Sequence, residues 1–157
     1  MLFVANQNEQ IRALQAQLRR AQAVTPALMS DVLSLLGERY STPSYLTWTK
    51  RIDALLQAEA WTDAALTLLD LALPQWKLRR IVYDDGEWYC CLGKQWPLPE
   101  WLDDTVEVGH AVLPLAILDA LIEARILALR CAAATTPSVP PVPLPRDTEY
   151  MCCDNFA

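Results

Sequence analysis

The stretch WKLRRIVYDDGEWYCCL, residues 76–92, decides the fold class of this 157-residue chain. Aromatic and β-branched residues, which favour strands, stand on both sides of an Asp-Asp-Gly turn. This pattern predicts an antiparallel β-hairpin with strands at about 76–83 and 87–92. An isolated hairpin is marginal in water, so this one must pack on helices or pair its edge with another strand.

The turn residues also predict the register of the hairpin. A two-residue turn would place Asp84 opposite Glu87, and two like charges facing each other are unfavourable. We therefore predict a three-residue turn with a left-handed Gly86, which pairs Val82 with Trp88. One face of the hairpin then carries Arg80, Val82, Trp88 and Cys90, and the other carries Ile81, Tyr83, Tyr89 and Cys91.

Four helices are predicted before the hairpin, at about residues 6–24, 26–37, 43–58 and 62–73. The Thr-Pro pairs at 25–26 and 42–43 are start signals, because Thr can cap a helix and Pro is tolerated in its first turn. Thr62 with Asp63 is expected to open the fourth helix, and Pro74 ends it.

The first helix has a narrow apolar stripe of Ile11, Leu14 and Leu18 on a surface rich in Gln and Arg. Such a stripe is typical either of a coiled-coil or dimerisation arm, which would make residues 1–24 a separate unit, or of loose packing on the body. The sequence leaves both alternatives open.

A fifth helix is predicted over about 104–130, because Asp104 and Glu107 are spaced like a capping box. Its apolar residues leave few polar faces, which predicts a central helix with a kink at Pro114. A polar strip on its exposed side is formed by Asp119, Glu123, Arg125 and Arg130.

The predicted fold is therefore α+β and mainly α, with about five helices and one hairpin packed on the C-terminal helix. Residues 25–131 form the single helical domain with the hairpin. The Pro-rich segment 132–157 lacks apolar periodicity and is predicted to be a flexible tail.

Composition excludes several function classes. A net charge of −6 disfavours nucleic acid as a partner. No apolar run reaches the roughly 18 residues of a membrane span, and the opening MLFVANQNEQ lacks a basic leader. An odd total of five cysteines favours reduced thiols, so we expect a cytoplasmic protein.

Candidate catalytic chemistry centres on the single histidine, His110. With Glu107 and Asp104 nearby in sequence it could form a ligand pocket or an acid-base site, although the sequence favours a partly buried histidine that packs and donates one hydrogen bond. Adjacent Cys90 and Cys91 would point to opposite faces of a strand, which disfavours a zinc site. Only four glycines occur, so no phosphate-binding loop is expected, and we predict neither a cofactor nor a metal.

Six tryptophans are the most unusual feature of the chain, and four of them fall between positions 76 and 101. They either build the core or form an aromatic surface for a partner. The predicted partner-binding residues are Trp76, Arg80, Tyr83, Trp88, Tyr89 and Trp96. A basic rim for an acidic partner would comprise Lys77, Arg79, Arg80 and Lys94.

The sequence thus favours a non-enzymatic protein-interaction or self-association module. It would form a homo-oligomer such as a dimer, or bind another protein, through the aromatic hairpin with help from the N-terminal helix. The alternative is a small enzyme or small-molecule-binding protein with its pocket near His110 and the hairpin.

Overall fold

The computed structural model describes residues 2–37, 43–94 and 103–134. Within these ranges the chain forms α1 (Leu2–Arg20), α2 (Pro26–Gly37), α3 (Pro43–Gln57), α4 (Trp61–Ala72), β1 (Lys77–Asp84), β2 (Glu87–Gly93), β3 (Thr105–His110) and α5 (Leu113–Ala134). The prediction of a mainly helical α+β fold is confirmed at this level. The predicted hairpin, however, is two strands of a three-stranded antiparallel sheet in the order β1-β2-β3.

The turn between β1 and β2 has two residues, not three, so the predicted turn was wrong. Asp85 and Gly86 both have positive φ, 47° and 88°, as the hairpin turn favoured by Asp-Gly requires. Asp84 does face Glu87. Both side chains are exposed, so water and salt screen their repulsion, and the match of the turn to the strand twist prevails.

The shorter turn changes which side chains share a face of the hairpin, and the predicted faces were also wrong. Tyr83 pairs with Trp88 and Val82 pairs with Tyr89. One face therefore carries Ile81, Tyr83, Trp88 and Cys90, and the other carries Arg80, Val82, Tyr89 and Cys91. The first of these faces turns towards the helices, where Ile81 and Trp88 pack against the core.

Residues 105–110 form a strand paired with β2, whereas the sequence predicted the first turns of a helix. The alternation of Val106 and Val108 with exposed Glu107 and Gly109 fits a strand with one buried face. Asp104, the expected helix cap, lies just before β3. Pairing with β2 along the whole of β3 outweighs the local capping pattern.

Helix α5 begins at Leu113 and is the centre of the core, as predicted. It contacts α1, α4, β2 and β3, which confirms that the sheet packs on the C-terminal helix. Pro114 is the second residue of this helix and does not kink its middle, because a proline in the first turn removes no helical hydrogen bond. Residues fully buried along α5 include Leu115, Ile117, Leu118, Leu121 and Ile122.

The earlier helices follow their start signals closely. The hydroxyl of Thr25 accepts a hydrogen bond from the Leu28 amide at 3.2 Å, as expected of a cap. Helix α4 begins at Trp61, one residue before the predicted Thr62, and its cap Ala60 offers no side-chain bond. Asp63 lies in the first turn of α4, where its charge favours the helix dipole.

The apolar stripe of α1 packs on the body of the chain. Ile11, Leu14 and Leu18 are buried, and α1 lies along α5. Of the two alternatives for this helix, packing on the body is the one that the structure has. The predicted connector around Trp96, and the tail from residue 135 onward, lie outside the described residues.

Candidate functional site

The outer side of β1 is the most exposed part of the sheet. Strand β2 lies between its two neighbours, whereas β1 has a paired strand on one side only within the described residues. From Val82 to Asp84 every residue of β1 is exposed, while β2 is buried from Cys90 to Gly93. We call residues 80–84 on this side the β1 edge.

Two large hydrophobic side chains are exposed at the β1 edge. Val82 is 40% exposed and Tyr83 is 59% exposed, and they are the large hydrophobic residues that stand out as exposed in the described part of the chain. The Tyr83 ring lies 4.9 Å from the ring of Trp88 across the hairpin, at an angle of 51°. The Tyr83 ring therefore has one neighbour in the sheet and still presents most of its surface to solvent.

The cations of the expected basic rim each have an acidic partner in this chain. Arg80 contacts Glu107 at 3.1 Å, and the more distant pairs are Lys77 with Asp70 and Lys94 with Asp104, both at 3.8 Å. The fourth cation, Arg79, is bound by Asp103. These pairs offset the positive charge of the rim, while the side chains of Lys77 and Arg80 stay about half exposed.

Arg79 and Asp103 form a buried ion pair at 2.5 Å, with side chains 10% and 1% exposed. Arg79 lies where the register of β1 against β2 shifts, between Leu78 and Arg80. Its guanidinium lies directly over Gly93, where a Cβ atom would collide with it. The pair fixes the first half of β1 and leaves the second half as the exposed part.

The tip of the hairpin is acidic. Asp84, Asp85 and Glu87 are exposed there, and the hydroxyl of Tyr89 lies 3.5 Å from the Glu87 carboxylate. The negative charge of Glu87 raises the pKa of Tyr89, so its phenol stays neutral at physiological pH. β1 therefore begins with cations and ends with acids.

The predicted partner-binding residues fall into three groups. Arg80 and Tyr83 are exposed at the β1 edge, and Trp88 and Tyr89 are half-buried in β2. Trp76 is only 2% exposed and belongs to the core, ahead of β1. Trp96 lies outside the described residues.

A second candidate region is an open groove of about 850 Å³ beside His110. It lies between the end of α1 and the loop from β3 to α5, and its lining includes Arg19, Arg20, Glu107, His110 and Asp119. The Nδ1 atom of His110 accepts a hydrogen bond from the Val112 amide at 2.9 Å. This bond holds the imidazole at the start of α5.

The three residues of the predicted pocket do not form one cluster. Asp104 lies just before β3 and pairs with Lys94, whereas Glu107 pairs with Arg80 on the outer face of the sheet. His110 and Glu107 both line the groove, but they alternate to opposite faces of β3. In the described part of the chain neither carboxylate bonds to the imidazole, so an acid-base pair is not assembled there.

A partly buried polar cluster joins α1 to α5 next to this groove. We call its residues, Gln15, Arg19, Asp119 and Glu123, the polar seam. Asp119 is 1% exposed and accepts hydrogen bonds from Gln15 at 3.0 Å and from Arg19 at 2.8 Å. Glu123 also contacts Gln15 and Arg19. The bond to Asp119 raises the pKa of Arg19, although partial burial opposes this.

The sequence placed Asp119 on the exposed side of the last helix, and this was wrong. A signal for the seam was present, since Gln15 with Arg19 and Asp119 with Glu123 are both spaced one helical turn apart. Two polar pairs on largely apolar helices are complementary when the helices lie side by side. The sequence alone does not say that α1 and α5 are neighbours.

The thiols of the sheet are unsuited to nucleophilic chemistry. Cys90 and Cys91 are buried, and burial raises the pKa of Cys90 to about 12, with a smaller effect of Cys91. A thiol with this pKa is protonated at physiological pH and reacts slowly. Among the described residues, no three His, Cys, Asp or Glu side chains are grouped to hold a metal ion.

Comparisons with known proteins add no relative: the chain matches no protein-family model, no curated protein and no solved structure. None of the helices in the described ranges combines the length and apolar character needed to cross a lipid bilayer. Proposals about function therefore rest on the geometry of the chain itself.

Proposed function

We propose that this chain is a non-enzymatic protein-interaction module that self-associates through the β1 edge. The observation that carries the proposal is the adjacent pair of exposed hydrophobic residues, Val82 and Tyr83, on a strand with one open side in the described part of the chain. An exposed strand edge offers unpaired backbone groups to another strand, and natural proteins usually protect such edges.

A second copy of the chain suits this edge because of the order of charges along β1. The strand reads KLRRIVYD, with cations in its first half and an acid at its end. Two such strands that pair antiparallel bring the cations of one to the acid of the other. Strand addition of this kind is a common mode of protein recognition, in which main-chain hydrogen bonds supply much of the affinity.

The proposal rests on the sheet and not on the N-terminal helix. The apolar stripe of α1 is already used within the chain, on α5. Among the residues first expected to bind a partner, Arg80, Tyr83 and the outer side of Tyr89 are accessible for this role. Trp88 packs against the core on the face of the sheet opposite Arg80 and Tyr89.

Sedimentation velocity over a wide concentration range tests the proposal. We expect wild-type protein to sediment as a dimer at high concentration and Val82→Lys to remain monomeric, because a lysine on the edge opposes strand pairing. Gln57→Lys is the matched control, since it adds the same charge at an exposed site on α3. A wild-type chain that stays monomeric, or dimers that Val82→Lys leaves intact, would contradict self-association through this edge.

A second candidate function is the binding of a small molecule in the groove beside His110. The observation in its favour is the groove of about 850 Å³ with Arg19, Arg20 and His110 in its lining, which is a suitable size for a small ligand. The lining also carries Glu87, Glu107 and Asp119, and Arg19 is paired with Asp119, so Arg20 is the cation that would attract a carboxylate or phosphate group. NMR of the His110 imidazole during titration with inorganic phosphate tests it, with His110→Gln as the control for assignment. An imidazole signal that does not move at saturating phosphate would remove the support for an anion-binding groove.

A further inference from the structure

We infer that two copies of the chain pair through β1 in one antiparallel register, with the two-fold axis at Val82. This inference deepens the proposed function and rests on it. The resulting assembly is a continuous six-stranded sheet with β1 of each copy at its centre. The register follows from the backbone, from the charges and from the exposed side chains.

The backbone limits which residues can bond across the new interface. Asp84 and Glu87 flank a two-residue turn, so they exchange both hydrogen bonds with each other, and Val82 likewise directs its amide and carbonyl towards β2. Ile81 and Tyr83 alternate with these residues. Their amide and carbonyl groups therefore point away from β2, towards the open side of β1.

A two-fold antiparallel pair can use those groups fully when it is centred on Val82. In this register Ile81 of one copy faces Tyr83 of the second copy, and the reverse pair forms by symmetry. Each pair exchanges two main-chain hydrogen bonds, so four bonds join the strands. Val82 faces Val82 of the second copy at the axis, where no main-chain bond forms and the side chains come closest.

The charges favour the same register. Centring on Val82 places Arg80 opposite Asp84 of the second copy, twice in the dimer. Centring on Ile81 would instead place Arg80 opposite Val82, and centring on Tyr83 would place it opposite Gly86. The register at Val82 is thus the one among these three that matches opposite charges.

Arg80 is able to make this contact while it keeps its own partner. One guanidinium nitrogen, Nη2, donates to Glu107 at 3.1 Å, and the side chain is still 45% exposed. A guanidinium has five N–H donors, so it can serve two carboxylates. Pairing also covers both exposed hydrophobic residues, because Val82 meets its own copy and Tyr83 lies over Ile81 of the second copy.

A charge-swap experiment on the full chain tests the register. Arg80→Asp and Asp84→Arg each place like charges opposite each other twice in their own dimers, so each variant should self-associate about tenfold more weakly than wild type. An equimolar mixture of the two variants restores both opposite-charge pairs. We expect the mixture, and also the double variant R80D/D84R, to recover dimerisation to within about threefold of wild type.

Glu107→Gln is the control for the intrachain contact that Arg80→Asp also removes. It breaks the charge pair of Arg80 with Glu107 and leaves the β1 edge unchanged, so dimerisation should persist. Far-UV circular dichroism of each variant checks that it folds. If the mixture fails to dimerise while wild type dimerises and Val82→Lys does not, the register is wrong and the proposed function stands.

Cross-linking provides a measurement that does not depend on charge. Two cysteines at position 82 would lie opposite each other with Cα atoms about 4.5 Å apart, within the range of a disulfide. We expect Val82→Cys to form a covalent dimer under mild oxidation and Asp84→Cys, whose opposite residue is Arg80, to form far less. Wild-type protein under the same oxidation gives the background from the native cysteines. Equal cross-linking at positions 82 and 84 would overturn the register.

Discussion

The polar seam and the β1 edge differ in where their polar groups find hydrogen-bond partners. In the seam, the carboxylate of Asp119 is 1% exposed and accepts hydrogen bonds from Gln15 and Arg19. At the β1 edge, the backbone groups of Ile81 and Tyr83 face the open side of the sheet, beside exposed hydrophobic side chains. The seam satisfies its polar groups within the chain, whereas the edge leaves them to solvent or to another strand.

The difference indicates that the polar seam stabilises the fold, whereas the β1 edge is available to a partner. A buried polar group must find partners inside the protein, because burial without them costs free energy. The seam therefore specifies how α1 lies on α5. An exposed edge carries no such requirement, so changes there should alter association and leave the fold intact. Substitutions in the helices and in the sheet test this contrast through their effects on the free energy of unfolding.

Asp119→Ala should lower the free energy of unfolding by about 2 to 3 kcal/mol, because buried Gln15 would lose one of its two carboxylate acceptors and Arg19 would lose its nearest one. The cost is below that of a fully buried ion pair, since Arg19 is half exposed and can turn to water. Urea unfolding followed by circular dichroism measures it. Glu123→Gln, at the more exposed end of the seam, should cost less than about 1 kcal/mol. Equal costs for the two variants would show that the seam does not depend on its buried carboxylate.

Gly93→Ala should cost about 2 kcal/mol, because a Cβ atom there would collide with the Arg79 guanidinium that Asp103 holds in a buried pair. Gly109→Ala is the matched comparison. Its Cβ atom would approach the ring of Tyr89 at 2.9 Å, and that half-exposed ring can move aside. Thermal unfolding of both variants checks the difference. A larger loss for Gly109→Ala would mean that the sheet is more constrained around Tyr89, in the first half of β2, than around Gly93.

Cys90 gives a prediction about pH. Burial raises its pKa from 9.0 to about 12, so between these values the folded chain holds a proton that the unfolded chain releases. Stability should therefore fall as pH rises, by about 1 kcal/mol between pH 9 and pH 10 from this group. Cys90→Ala removes the effect, so its unfolding free energy should depend less on pH over that interval. Parallel pH profiles for the two proteins would contradict the assignment.

Sequence reasoning recovered the elements whose signals are local. The Thr25 cap and the Asp85-Gly86 turn each depend on a few neighbouring residues, and both appear in the structure. The turn length was predicted wrongly because one repulsive pair, Asp84 with Glu87, was given more weight than two favourable backbone conformations. At an exposed tip the backbone term is the larger one.

What sequence reasoning missed depends on contacts between distant segments. Residues 104–110 carry both a capping pattern and a strand alternation, and pairing with β2 decides between them. Asp119 appears as one polar residue of an exposed strip until α1, about a hundred positions earlier, is placed beside it. For the candidate site, composition directed attention to the tryptophans. In the structure, the side chains of Val82 and Tyr83 are exposed to solvent, whereas that of Trp76 is buried.

Val82→Lys should change the stability of the monomer least of all, by less than about 0.5 kcal/mol. Val82 is exposed on the outer face of an edge strand, and its amide and carbonyl bond to β2 whatever the side chain. Urea unfolding at a concentration where the chain is monomeric measures this effect apart from dimerisation. Val108→Lys is the contrast, because it places a charge in the buried face of β3 and should unfold the sheet. A loss of 2 kcal/mol or more for Val82→Lys would mean that Val82 stabilises the fold of its own chain. The β1 edge would then have the same role as the polar seam, and the contrast between the two regions would fail.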